Sequence, residues 1–526
     1  MRSVLPSPWF AVCLAGCAGH APPPAEPAPV VDPVAVQQER ASVEGPDQTL
    51  EQCRLASMAF AEGQVDVAER ALRQAVVAMQ DFRAEGEFRA LVGEESTKEW
   101  KGDPYEKMMA FLDLGLLLLE EGDEGNALAM TKSAILADTG TSRFQYRADF
   151  VPAFVLQAVV FDRLGEHGNA ERSIGQAVDA IWLRALTRDL SARLAEVEVE
   201  AGANGEALDP DGVAAARVLL LSGLPAGLAA HPREVDAAID GALSRATDLR
   251  RVALDGSRRD RPEELSTLSR GALDRSFDAL EPLVRGWHAA AAATPTDTAQ
   301  LRSDEARLTS LIVHPPRLMA WVETGRGPQK RADGEYGEIL RIVPRDDPSI
   351  PPAVTLDGRT IEPVFLDSVS YQASTRGSRW VDGFLKGKAV FKDAAPFLGW
   401  ALLVSGDVAR SLQDSNDSGA VGTALYVIGA ATWVAGAIAN PRADTRGWDE
   451  LPEGLWLVTA DAGPGPHQLV IDGRTYRMDL PDDGQVVTSI PSLPPGGRTT
   501  LGRPCTTCAA PATEAIDAPL AIPQSP

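Results

Sequence analysis

The sequence predicts an α+β fold: an irregular α-hairpin solenoid, then a small antiparallel β-sandwich module with an inserted apolar helical hairpin. Three observations carry that reading. One spacing pattern of small residues recurs three times between residues 48 and 197. Beyond His314-Pro315-Pro316 the chain changes to short apolar runs between turn signals, the texture of strands. Residues 394–440 hold two apolar arms around a polar turn.

Composition sets the outer limits. The chain has 526 residues, 44% hydrophobic and 24% charged, enough to bury a large core in several domains. Its 50 Lys+Arg against 74 Asp+Glu leave a formal charge of −24, which argues against phosphate-backbone binding and so against a nucleic-acid partner.

The N-terminus reads as an address. Arg2 precedes an apolar run over 9–14, too short to cross a bilayer but right for a secretory leader. Leu14-Ala15-Gly16-Cys17 matches the bacterial lipobox, so residues 1–17 are expected to be a signal peptide cut before Cys17, whose sulfur takes the lipid anchor. Ala18 after the cysteine points to the outer membrane, facing the periplasm. Residues 18–47 then read as a Pro-rich tether. Cys53 is expected as a small apolar residue on a helix. Cys505 and Cys508 form a lone CxxC in a disordered tail over 497–526, without the second ligand pair that zinc requires. No metal and no cofactor is expected.

The hairpins follow from spacing. Gly63, Ala68, Leu72 and Ala75 recur as Gly122, Ala127, Thr131 and Ala134, and again as Gly165, Ala170, Ile174 and Ala177. Seven residues before each glycine stands another small residue: Ala56, Gly115 and Ala158. A glycine turns the chain between two helices, and small residues let helix backbones approach closely. Leu112, Leu116 and Leu119, then Phe154, Phe161 and Leu164, are placed to fill the core. These are the small positions of the tetratricopeptide repeat, which residues 48–197 resemble. The glycines are 59 and 43 residues apart instead of about 34, so insertions separate the hairpins. Residues 198–312 read as an Ala-rich helical region.

The β module is expected in two parts, 313–393 and 441–496, with strands at 317–322, 339–343, 353–356 and 454–458. Thr355–Ile361 and Val470–Tyr476 are near duplicates around Asp357-Gly358 and Asp472-Gly473, the signature of tight hairpins. Between the parts, residues 394–440 form a Gly-striped apolar helical hairpin. Gly399 and Gly406 lie on one arm, and Gly422, Gly429 and Gly436 on the other, at seven-residue spacing. The second arm runs 22 residues without a charge, long enough to span a membrane. It reads as a buried hairpin on the β module or as a membrane-inserting, self-associating one.

Three stretches resemble an uncharacterised family of bacterial envelope lipoproteins with tetratricopeptide-like repeats. Gly102-Asp103-Pro104-Tyr105-Glu106 resembles its Gly-x-x-Tyr-Glu turn before a helix that ends at Gly122-Asp123. Glu323-Thr324-Gly325-Arg326-Gly327-Pro328 resembles a strand-ending Glu-x-Gly-x-x-Pro turn. Asp444-Thr445-Arg446-Gly447-Trp448-Asp449-Glu450-Leu451-Pro452 resembles an Asp-Thr-Arg-x-Trp-x-x-Leu-Pro motif. The resemblance implies fold and location and no activity. Asp444, Arg446 and Trp448 invite a binding reading, against which stands an ion pair and a packed indole at a domain junction.

Catalytic signatures are missing. GxSxG, HExxH and GxxxxGK[ST] do not occur, and His167 and His467 read as surface turn residues. The expectation is therefore a non-enzyme: a lipid-anchored scaffold or adaptor that binds other envelope proteins through its repeats. The competing expectation is a membrane-remodelling or pore-associated component whose 394–440 hairpin inserts or forms a homo-oligomer.

Overall fold

The computed structural model describes residues 32–80, 99–139, 148–203, 298–334, 339–375, 443–482 and 484–492, together with scattered helical positions between 213 and 281. Cys17 and the expected leader, the 394–440 hairpin, and the 497–526 tail with Cys505 and Cys508 lie outside the described residues. Helices and mixed sheets make this an α+β chain.

The first helix corrects the sequence reading. Residues 18–47 were expected to be tether, yet α1 (Pro33–Ala41) is a helix with Val34 and Ala41 buried. Asp32 starts it by accepting a hydrogen bond from Val34 N–H at 3.0 Å, and Pro33 presets the first turn. Three hairpins follow: α2 (Gln48–Ala61) with α3 (Val65–Gln80), α4 (Pro104–Glu120) with α5 (Glu124–Asp138), and α6 (Val151–Arg163) with α7 (His167–Ala203). Each consecutive pair of helices from α1 to α7 is in contact. Gly63, Gly122 and Gly165 stand between the helices of each hairpin with φ of 73°, 81° and 74°. Those left-handed angles favour glycine.

Ala68, Ala75, Ala127, Ala134, Ala170 and Ala177 are all buried. At Gly115 an added Cβ would come within 3.2 Å of Leu156, the close approach between α4 and α6 that a small residue permits. Leu164 departs from expectation. It lies at the C-terminal cap of α6 and is exposed, because the chain has already left the buried face there. The last described helix of this body, α8 (Thr298–Val313), packs on α6 and α7.

Ten strands follow. β1 (Leu318–Thr324), β6 (Val364–Ser368), β7 (Gly454–Ala460) and β10 (Val486–Ile490) form one sheet in the order β10-β1-β7-β6. β4 (Val354–Leu356), β5 (Arg359–Ile361), β8 (Gly465–Ile471) and β9 (Arg474–Leu480) form another in the order β5-β4-β8-β9. β2 (Gln329–Asp333) and β3 (Ile339–Val343) pair separately, and α9 (Val369–Thr375) follows β6. The expectation of a purely antiparallel module is corrected at one pair: β1 and β10 run parallel. β10 reaches the first sheet from β9 in the second, so no hairpin turn obliges it to reverse direction.

The first sheet is covered on both faces. Alternate residues Leu318, Ala320, Val322, Trp456 and Val458 share a core with Leu356, Leu469, Ile471 and Met478 of the second sheet. Met319, Trp321, Leu455 and Leu457, on the opposite face, join the core of the helical body. In the second sheet the duplicated hairpins meet around a local twofold between β4 and β8, with Thr355 opposite Val470. Asp357 N–H donates to Gln468 O and Asp472 N–H to Ala353 O, each at 2.9 Å. Both aspartates have φ 49°, followed by Gly358 and Gly473, also at positive φ.

Candidate functional site

The three motif stretches, far apart in sequence, converge where α4 meets the β module. Asp103 precedes α4, and the Glu106 carboxylate reaches back to accept from Asp103 N–H at 2.6 Å. The same carboxylate accepts from Lys330 Nζ at 2.7 Å and from Trp448 N–H at 2.9 Å. Lys330 Nζ also lies 3.0 Å from Asp103 Oδ2 and donates to Arg446 O at 3.0 Å. Glu106 is fully buried and the Lys330 side chain is 3% exposed. Burial pushes the Glu106 carboxyl above its ordinary range, and the Lys330 ammonium opposes that push.

Asp444, Arg446 and Trp448 are brought together here. The Arg446 guanidinium binds Asp444 through Nε and Nη2, at 2.7 Å for the latter, and bridges to Asp47 at 2.7 Å. The Trp448 indole is buried, and its Nε1–H donates to Ser57 Oγ at 2.9 Å. Gly327 lies against the same strap: its N–H donates to Leu451 O at 2.6 Å, and an added Cβ would stand 2.7 Å from Pro452 O.

Sequence reasoning missed the acidic face that α4 turns toward the module. Glu106, Asp113 and Glu120 are spaced by seven, which keeps them on one side of the helix. Asp113 is the only charged residue between 108 and 119, and that isolated charge was the available signal. Burial, and then Glu323 of β1, push the Asp113 carboxyl well above the usual carboxylate range. Burial raises Glu323 to about 7 and Glu120 to about 7.

A second polar network holds α9 to the helical body. Asp367 pairs with Arg184 Nη1 at 2.6 Å, and Gln372 Nε2 donates to Asp367 at 3.0 Å and Asp149 at 3.2 Å. The Tyr371 hydroxyl donates to Asp149 at 2.9 Å. Burial, with Asp367 nearby, raises Asp149 to about 7.

Among the described residues, a groove of about 680 Å³ opens beside α3 and α5. Val76, Leu114, Leu118 and Met130 give it an apolar floor. Its sides carry the amides Gln48, Gln74 and Asn126 together with the charged Arg70 and Glu99, and Val77 is 69% exposed. Arg73 lines it but is engaged by Glu69 at 2.5 Å. Such a surface offers apolar contact on its floor and hydrogen bonds along its edges.

Compared with known proteins, the chain matches no protein-family model, no curated protein and no solved structure.

The remaining sequence-singled residues fall elsewhere. Cys53 is buried on α2, where burial raises its thiol well above the ordinary value. His467 is not in a turn: it lies in β8 and its Nδ1 is 2.6 Å from Asp357 Oδ2. The duplicated hairpin, by setting Asp357 across from β8, explains that placement. His167 begins α7, 2.9 Å from Asp162. Among the described residues no group of three or more His, Cys, Asp or Glu is arranged to hold a metal ion. No helix among the described residues is long and apolar enough to cross a membrane.

Proposed function

We propose that this chain is a non-catalytic scaffold or adaptor of the bacterial envelope, anchored by lipid at Cys17 to the periplasmic face of the outer membrane. In this reading the helical body is a tetratricopeptide-like solenoid, the two sheets form a sandwich, and the chain is akin to the envelope lipoproteins its motifs resemble. The repeats hold other envelope proteins, and the β module fixes the repeats from behind.

The observation that carries the reading is the groove, with its apolar floor and its sides of amides and a few charged groups. That combination suits a peptide segment, whose apolar side chains meet the floor and whose backbone amides meet the glutamines. The buried Glu106–Lys330 pair, by contrast, joins α4 to the module.

Photo-crosslinking from defined positions tests it. A photoreactive residue at Val77, in the groove, should yield discrete protein adducts in intact envelopes. The same residue at Leu136 or Ile350, exposed outside the groove, should not. Equal adducts from all three sites, or none from Val77, would reject the groove as the binding surface.

A further inference from the structure

The three acids on the inner face of α4 are treated unequally by the β module. Glu106 meets the Lys330 cation. Asp113 meets a second carboxylate, Glu323 of β1, where both line a cavity of about 30 Å³ beneath Trp448 and Pro452. Asp113 Oδ1 is buried without a hydrogen-bond partner, and Glu323 accepts only a long bond from Ser492 N–H at 3.4 Å among its described hydrogen bonds. Glu120 accepts from Ser489 N–H of β10 at 2.9 Å.

We propose that the seam between α4 and the first sheet is a proton-controlled joint, seated while the Asp113–Glu323 pair holds at least one proton and loosened when both ionise. One proton shared across the pair removes the repulsion between the helix and β1. Losing it sets two like charges against each other in a space that holds little water.

Glu120, also raised to about 7 by burial, titrates at the β10 end of the same seam, and the surrounding cations do not pair with Asp113 or Glu323. On α2, Arg54 binds Glu51 and Gly447 O and lies 3.9 Å from Glu450, which lines the mouth of the same cavity. Cys53, also on α2, is a neutral thiol raised by burial. Lys330 of β2 is engaged by Glu106, Asp103 and Arg446 O. Arg163 of α6 donates to Leu119 O and Gln485 O. Each of these cations is committed to other partners.

The sign is fixed by the direction of the shifts. Both carboxyls are raised in the seated state, so that state binds more protons than the open one. The seam is tightest below the ordinary carboxylate values and loosens as pH rises toward and through about 7, the raised value of Glu323.

Hydrogen exchange of the full chain by mass spectrometry, corrected for intrinsic rates, reads this directly. Between pH 5.5 and 8, opening at α4, β1 and β10 should increase at least roughly tenfold. Asp113→Asn with Glu323→Gln, neutral and nearly isosteric, should remove most of that increase at β1, and Glu120→Gln added to them should remove the remainder at β10. Asp149→Asn, at the separate α9 network, should leave it in place. An unchanged exchange pattern in the wild type, or a full pH response in the double variant, would overturn the joint. So would an equal flattening by Asp149→Asn, which would mean that the response is global.

Discussion

Replacing Lys330 with Met keeps the aliphatic stem in place and deletes the cation that pairs with Glu106. Glu106 is fully buried and would keep its two N–H donors, Asp103 and Trp448, but lose its counter-ion at 2.7 Å. Asp103, 3.0 Å from the same ammonium, loses it too. Removing one partner of a buried pair costs about 3–5 kcal/mol, because the remaining charge is stranded. Glu106 has an escape, since it can take up a proton once Lys330 is gone. Its folded-state pKa then rises further, so the penalty of Lys330→Met grows with pH and shrinks in acid. Glu106→Gln in the same chain should recover part of the loss, making the double variant milder than the sum of the two single ones. Urea unfolding at two pH values, with the m-value checked for each variant, measures all of this. A loss below about 1 kcal/mol at neutral pH, the range of exposed pairs, would show that the junction does not depend on this charge.

Other outcomes can be stated more briefly. Gly327→Ala should cost about 1–3 kcal/mol in unfolding, because the new Cβ meets the backbone oxygen of Pro452 at 2.7 Å and that oxygen cannot rotate away. Trp448→Phe deletes the pyrrole ring with its hydrogen bond to Ser57, so urea unfolding should report a loss of about 1–3 kcal/mol from cavity and bond together. His467 should titrate above its ordinary value in a proton NMR titration, since Asp357 and Gly463 O favour the imidazolium. Its contribution is full below the ordinary histidine value and disappears as pH rises through the raised one; Asp357→Asn should bring the titration back down.

What the sequence made legible was local. Asp357-Gly358 and Asp472-Gly473 announce their turns because two adjacent residues suffice to require positive φ. The glycines before α3, α5 and α7 are legible for the same reason. α1 was hidden by its setting: Pro33 follows a proline-rich run, yet as a first-turn residue it starts a helix. The junction was half visible. Its motifs could be singled out, but the partnership of Glu106 with Lys330 joins residues 224 apart. No local pattern encodes which carboxylate will be buried opposite which cation. β10 was obscure likewise, because its parallel direction is set by a crossing between sheets.

The local twofold in the second sheet carries a consequence for folding. The contact between β4 and β8 joins two copies of nearly the same phrase, each Asp bracing the strand of the other. More than a hundred residues of chain separate those copies. Each hairpin is a local structure, whereas the contact between them closes a long loop, so the two turns should form before the second sheet does.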